Sequence, residues 1–146
     1  MQSLKRQKNK LLTGMRYIVI IGCGKTGKNL AHEFSREENV VVVDKSLKSL
    51  DSLGDDFNGK KIWSDALDIN TLDKAEVKDA DAVYVLTGND NLNLVVGKVV
   101  KIKYGTKKVI ISVNDVMKKK IFKEEGLTIV NRTYLIVEVL KKCISS

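Results

Sequence analysis

The sequence predicts an α/β fold: a doubly wound, six-stranded parallel sheet with helices on both faces and a further helix at its C-terminal end. Three observations predict it. From Tyr17 onward, short β-branched runs alternate with longer amphipathic ones. The short runs are apolar at nearly every position, as strands buried on both faces require. Strand–helix alternation repeated this often builds right-handed βαβ units, and hence a parallel sheet. A chain of 146 residues suits one domain and leaves no room for a second of ordinary size. With 43% hydrophobic residues in regular runs, it is not a disordered chain despite 30% charged residues.

Taken in order, residues 1–16 read as a basic tail, residues 17–131 as the sheet domain and residues 132–146 as an amphipathic helix. Strands are expected at 17–21, 40–43, 61–63, 82–86, 109–113 and 127–130. After the first strand, Leu30, Ala31 and Phe34 have helical spacing. Ser46 is an N-cap before Leu47, Leu50 and Leu53. Residues 91–104 place Leu92, Val95, Val96, Val99 and Val100 along a helix. Asp115 is a second candidate cap, before a helix carrying Val116, Met117, Ile121 and Phe122. The last run, 133–144, puts Leu135, Ile136, Val139, Leu140 and Cys143 on one face, either to cover the sheet or to dock on a second copy of the chain.

Composition removes several function classes. The longest apolar runs are about a quarter of a membrane-spanning helix. A secretory signal would need its apolar core where Lys5, Arg6, Lys8 and Lys10 stand. Cys23 and Cys143 lie far apart and His32 is the only histidine, so structural zinc is excluded and the chain reads as cytoplasmic. The net charge of +8 is uneven: residues 1–16 supply five bases and no acid, while the rest holds 21 bases and 18 acids. Such a tail is a weak cue for nucleic acid or an acidic membrane face, and without aromatic residues for stacking it reads as a solvated segment. Any membrane or partner attraction is to be sought there first.

Gly22, Gly24 and Gly27 form G-x-G-x-x-G directly after a buried strand and at the start of a helix. Gly22 allows the tight turn, Gly24 lets the backbone approach a pyrophosphate, and Gly27 lets the helix pack on the strand. The ligand's negative charge then faces the N–H groups of that helix. Asp44 ends the next strand, 20 residues after Gly24, where a carboxylate can accept both ribose hydroxyls and repel a 2′-phosphate. The same residues nearly spell a P-loop, Gly22 through Gly27-Lys28, but Asn29 stands where a Mg²⁺-binding hydroxyl is needed. The dinucleotide-type, Rossmann-like reading is therefore preferred.

Further candidates sit at strand ends, where ligands bind in such sheets. Asp65 could reach the adenosine end of a nucleotide, or serve only as a helix cap or turn residue. Thr87, Asn89 and Asp90 follow the fourth strand, and Asn114 and Asp115 the fifth; turn and capping chemistry would explain these equally. Cys23 reads as structural rather than nucleophilic, His32 as an exposed helix residue, and Lys118–Lys120 as a solvated face.

The sequence resembles a known family. Gly22–Gly27, Asp44, Ser64-Asp65-Ala66, Ala80-Asp81-Ala82-Val83, Thr87-Gly88-Asn89-Asp90-x-x-Asn93 and Val113-Asn114-Asp115 fall in the order of the TrkA-N domain, also called KTN or the RCK N-terminal domain. The resemblance implies a cytoplasmic regulatory subunit, at the inner face of the membrane through its partner, that gates a potassium channel or transporter. It implies a bound NAD(H) or adenine nucleotide (ATP, ADP or AMP) and assembly as a homodimer or larger ring. It also implies adenosine ribose on Asp44, adenosine near Asp65, phosphates over the glycines, and Thr87 and Asn89 on the distal side. The last helix would be the crossover helix of a dimer. The full candidate set is Gly22, Cys23, Gly24, Lys25, Thr26, Gly27, Asp44, Lys45, Asp65, Ala66, Thr87 and Asn89, with no catalytic and no metal-binding residue.

Three departures from the family pattern stand out. Ser112 occupies a fifth-strand position where many members carry a base, Asn131-Arg132 replaces a proline, and the second, C-terminal ligand-binding domain common in the family is expected to be lacking. The expected function is non-catalytic nucleotide sensing. The alternative is a small NAD-dependent oxidoreductase, for which no His, Tyr or Lys with an evident partner stands at a strand end.

Overall fold

The computed structural model describes residues 2–114 and 121–145. Among these residues, seven strands form one sheet: β1 (Tyr17–Ile21), β2 (Asn39–Asp44), β3 (Lys60–Trp63), β4 (Ala82–Val85), β5 (Val109–Val113), β6 (Ile121–Glu124) and β7 (Leu127–Asn131). They lie in the order β3-β2-β1-β4-β5-β7-β6. All six expected strands are present and parallel. The chain leaves β1 in one direction to β2 and β3, and later in the other to β4 and β5, so the winding reverses between β1 and β4.

Among the described residues, six α-helices accompany the sheet: α1 (Gln2–Thr13), α2 (Lys25–Ser35), α3 (Leu47–Asp51), α4 (Ile69–Lys74), α5 (Asp90–Ile102) and α6 (Arg132–Cys143). The all-apolar strands feed two cores by simple alternation. Val19, Ile21, Val41, Val43, Val83 and Val85 point to the face closed by Leu72, Val96 and Val100. Ile18, Ile20, Val40 and Val42 point to the other, closed by Ala31, Leu50, Leu53 and Phe57. Ser46 caps α3, accepting the Ser49 N–H at 3.2 Å. Helix α4 was not expected; Asp68 caps it by accepting from the Asn70 N–H.

Two segments differ from the sequence reading, and a third decides between its alternatives. Ile121 and Phe122 belong to a strand, not a helix: β6 runs antiparallel to β7 at the sheet edge. The reason is the turn between them, Glu125-Gly126, whose φ values of +52° and +79° are those of a two-residue type I′ hairpin. Asp115, Val116, Met117 and Lys118–Lys120 lie outside the described residues.

The basic tail is helical from Gln2 to Thr13 and docks on the sheet end. Arg6 pairs with Glu76 and stacks 3.6 Å over the Tyr17 ring, and Lys10 pairs with Asp81. Finally, α6 does not cover the sheet. None of its residues is buried, and Ile136, Val139 and Leu140 are 56%, 61% and 64% exposed. Among the described residues, no helix is long and apolar enough to cross a membrane.

Candidate functional site

The C-terminal ends of β1 to β4 surround a cavity of about 360 Å³. It sits where the winding reverses, between the loop after β1 and the loop after β4. Gly22, Cys23 and Gly24 form one wall, Asp44, Lys45 and Ser49 a second, Ser64, Asp65 and Ala66 a third, and Thr87, Gly88 and Asn89 a fourth. Ile21, Val43, Leu86 and Leu92 give it an apolar floor.

The three glycines separate into two roles. A Cβ on Gly22, whose φ is +107°, would lie 2.7 Å from the Leu86 carbonyl carbon. A Cβ on Gly27 would lie 1.9 Å from the Gly22 carbonyl oxygen. Both are therefore required by the packing of β1, β4 and α2 against one another. Gly24 differs: a Cβ there meets nothing within 4 Å, so the space over it is open to a ligand. Only Gly22, Cys23 and Gly24 lie between β1 and α2, too short a connection for the wide loop of a P-loop. Asn29 donates to the Lys25 carbonyl at 2.9 Å, tying the side chain at the Mg²⁺ position back to its own helix.

Gly24 caps α2 without a side chain, so the N–H groups of the first turn carry partial positive charge beside the cavity. Lys25 and Thr26 belong to that turn, are exposed, and stand outside the cavity wall, as does buried Gly27.

Asp44 is half-buried at the end of β2. Its Oδ2 accepts the Cys23 N–H at 2.8 Å and its Oδ1 accepts the Ser46 N–H at 2.8 Å. The carboxylate thus fixes the glycine loop and the start of α3, and each oxygen retains a second lone pair for a hydroxyl. Cys23 is buried, donates its S–H to the Ser49 carbonyl at 3.3 Å, and has its thiol pushed up first by burial and then by Asp44. It is a structural cysteine, held away from the thiolate form.

Asp65 is a turn residue placed on the cavity wall. It accepts the Leu67 N–H at 2.9 Å as a turn residue and still lines the cavity. Beside it, the Ser64 and Thr71 hydroxyls bond each other at 2.6 Å, joining the loop to α4.

The loop after β4 is organised by Asn93, which is fully buried in α5. Its Oδ1 accepts the Thr87 N–H at 3.0 Å and bonds the Thr87 hydroxyl. Its Nδ2 donates to the carbonyls of Thr87 at 3.0 Å and Ser112 at 2.8 Å. Asn89 caps α5 by accepting the Leu92 N–H at 2.9 Å, and Asp90 accepts the Asn114 N–H at 2.9 Å. Thr87 and Asn89 therefore line the cavity while also holding α5 in register. Ser112, on β5, lies beneath this network with its carbonyl engaged.

The structure thus brings together Gly22, Cys23, Gly24, Asp44, Lys45, Asp65, Ala66, Thr87 and Asn89. Ser49 and Leu92 were missed. Their signal was available, since each lies three residues after a capping residue, on the first turn of a helix starting at a strand end. His32 is half-buried rather than exposed, its ring edge-on to Phe57 with centroids 5.8 Å apart. That contact is with the core, away from the cavity wall.

The family model of the TrkA-N domain matches residues 18–133. The chain is 28% identical over 112 residues to the Trk system potassium uptake protein TrkA of Streptomyces coelicolor, covering 76% of this chain and 50% of that protein. It is 31% identical over 109 residues to a TrkA homolog of Pyrococcus abyssi, covering 74% and 48%. The matched stretch therefore spans about half the length of these relatives.

Among solved structures, the TrkA-N domain of the inner membrane protein ybaL from Escherichia coli superposes with a TM-score of 0.71 at 13% identity, covering 88% of this chain and 96% of that one. The NAD(P)-binding domain of an exopolyphosphatase-related protein from Archaeoglobus fulgidus gives 0.72 at 22% identity, covering 89% and 98%. The Shewanella denitrificans Kef C-terminal domain, in an AMP-bound form, gives 0.58 at 20% identity, covering 68% and 60%. At these identities the three structures bear on the fold alone.

Proposed function

Because the chain belongs to the TrkA-N domain family, we propose that it is a non-catalytic nucleotide sensor acting as a cytoplasmic regulatory subunit of a potassium channel or transporter. The observation that carries this reading is the cavity at the winding reversal. There an open Gly24 backbone, the start of α2 and the Asp44 carboxylate face one another across a space suited to a nucleotide. Phosphates would lie over Gly22 and Gly24 and ribose hydroxyls on Asp44. The adenine end would rest near Asp65 and Ala66, with Thr87 and Asn89 on the distal side. NAD(H), ATP, ADP and AMP are the candidate ligands, and Asp44 disfavours a 2′-phosphate.

The exposed apolar face of α6 would pack on a second copy of the chain, giving a dimer or a larger ring beside a membrane-embedded partner. Ligand exchange would alter that packing only if the nucleotide binds two dimer arrangements with different affinity. Trp63, the sole tryptophan, reports on the cavity because its indole N–H donates to the Lys45 carbonyl at 3.0 Å. Titrating the purified protein with NADH, NAD, ATP, ADP and AMP, followed by Trp63 fluorescence and by calorimetry, is the decisive experiment. Saturable binding of at least one of them is expected, and binding of none would sink the proposal.

A further inference from the structure

Helix α1 sets two of its four basic side chains, Arg6 and Lys10, on the protein and turns its leucines outward. Arg6 and Lys10 hold it in this orientation through Glu76, Tyr17 and Asp81. Leu4 and Leu12 on the other side are 69% and 75% exposed, and Leu11, at the rim of the groove beneath the helix, is 87% exposed. Lys5 and Lys8 are exposed among them, and residues 1–16 contain no acid. The helix lies against residues at the starts of β1 and β4, the end of the sheet opposite the cavity. Lys78 and Lys107, also exposed, border the groove beneath it.

We propose that this face of α1 rests on an anionic lipid surface, its leucines in the headgroup–acyl boundary and Lys5 and Lys8 among the acidic headgroups. Charge complementarity and apolar content point to that occupant together. Two of the acids that would repel headgroups at this end, Glu76 and Asp81, are neutralised by Arg6 and Lys10. A short helix with leucines between lysines has the composition of an interfacial helix. Nucleic acid would use the lysines and leave the leucines in water. A second copy of the chain is a poor occupant, since three leucines present well under the roughly 800 Å² per partner of a stable protein interface. A single amphipathic face of this size gives reversible rather than permanent attachment.

The test is co-sedimentation of the full chain with vesicles of phosphatidylcholine alone or mixed with phosphatidylglycerol. Binding to the mixed vesicles only, weakened by salt, is expected. Lys5→Gln combined with Lys8→Gln should lower partitioning about 30-fold. Leu4→Ser, Leu11→Ser and Leu12→Ser together should lower it at least about tenfold. Because all five side chains are exposed, both variants should keep the parent melting temperature and nucleotide affinity. Three results would overturn the proposal: no binding of the parent chain to mixed vesicles, full retention of binding by the leucine variant, or capture of duplex nucleic acid in place of vesicles.

Discussion

Asp44 Oδ2 accepts the backbone N–H of Cys23 at 2.8 Å, so the residue expected to hold the ribose is also the clamp that sets the glycine loop. Asp44→Ala should therefore weaken whichever nucleotide binds by about tenfold or more, the loss of charge-assisted hydrogen bonds. Asp44→Asn should fall between, because one amide oxygen can still accept from Cys23. Calorimetry on both variants checks the order, and equal affinity in all three proteins would remove Asp44 from the site.

Gly24 and Gly27 should respond oppositely to the same change. Gly24→Ala meets open space, so it should leave the melting temperature unchanged and impair nucleotide binding. Gly27→Ala drives a methyl into the Gly22 carbonyl and should cost about 2 kcal/mol or more of stability. Thermal melts alongside titrations separate the two effects.

Asn93→Ala leaves the Thr87 N–H without its acceptor and the Thr87 and Ser112 carbonyls without their donor, all around a fully buried position. A loss of about 3 kcal/mol is expected, a drop of roughly 10 °C in Tm for a domain of this size. Thr87 should move with it, so nucleotide affinity should fall as well.

The docking of α1 should depend on acid. Burial alone would raise the Asp81 carboxyl, but the Lys10 ammonium and the Tyr17 N–H outweigh it and hold the group below its ordinary value. The native state therefore binds this proton less readily than the unfolded chain. Its contribution is complete above about pH 4 and disappears as the pH falls through the lower native value. Hydrogen exchange in α1 should quicken over that range, whereas Asp81→Asn should already exchange fast at neutral pH. Tyr17, pushed up to about 12 mainly by burial, stays a protonated donor to the Ala75 carbonyl throughout.

If α6 is a dimer helix, Ile136→Glu or Leu140→Glu should shift the protein toward monomer in sedimentation equilibrium. Both side chains are exposed, so helix content should be retained. An unchanged assembly would assign the interface to another face.

Much of the fold was legible because the relevant constraints are short in range. The strands at 17–21 and 109–113 stand where their β-branched runs lie, since sheet burial on both faces demands apolar residues at nearly every position. Ser46 and Asn89 cap helices because a cap acts two or three residues away. The hairpin of β6 was hidden by a coincidence of spacing: Val116, Met117, Ile121 and Phe122 suit a helix, while Glu125-Gly126 demands a turn. In the site, turn and capping chemistry explains Asp65, Thr87 and Asn89 locally, while their place on the cavity wall comes from strand ends brought together by the sheet.

The sequence by itself determined the βαβ grammar, the glycine loop and the placing of Asp44 at its strand end, because backbone sterics and hydrophobic period are local properties. Tertiary structure alone decided which way α1 faces, that α6 keeps its apolar side outward, and that Asn93 rather than a strand-end residue organises the far wall. The first and last depend on partners distant in sequence, Glu76 and Asp81 for α1 and Ser112 for Asn93, and the second on α6 burying none of its residues. Periodicity shows that a helix has a face; only the packing of the remaining chain shows what that face meets.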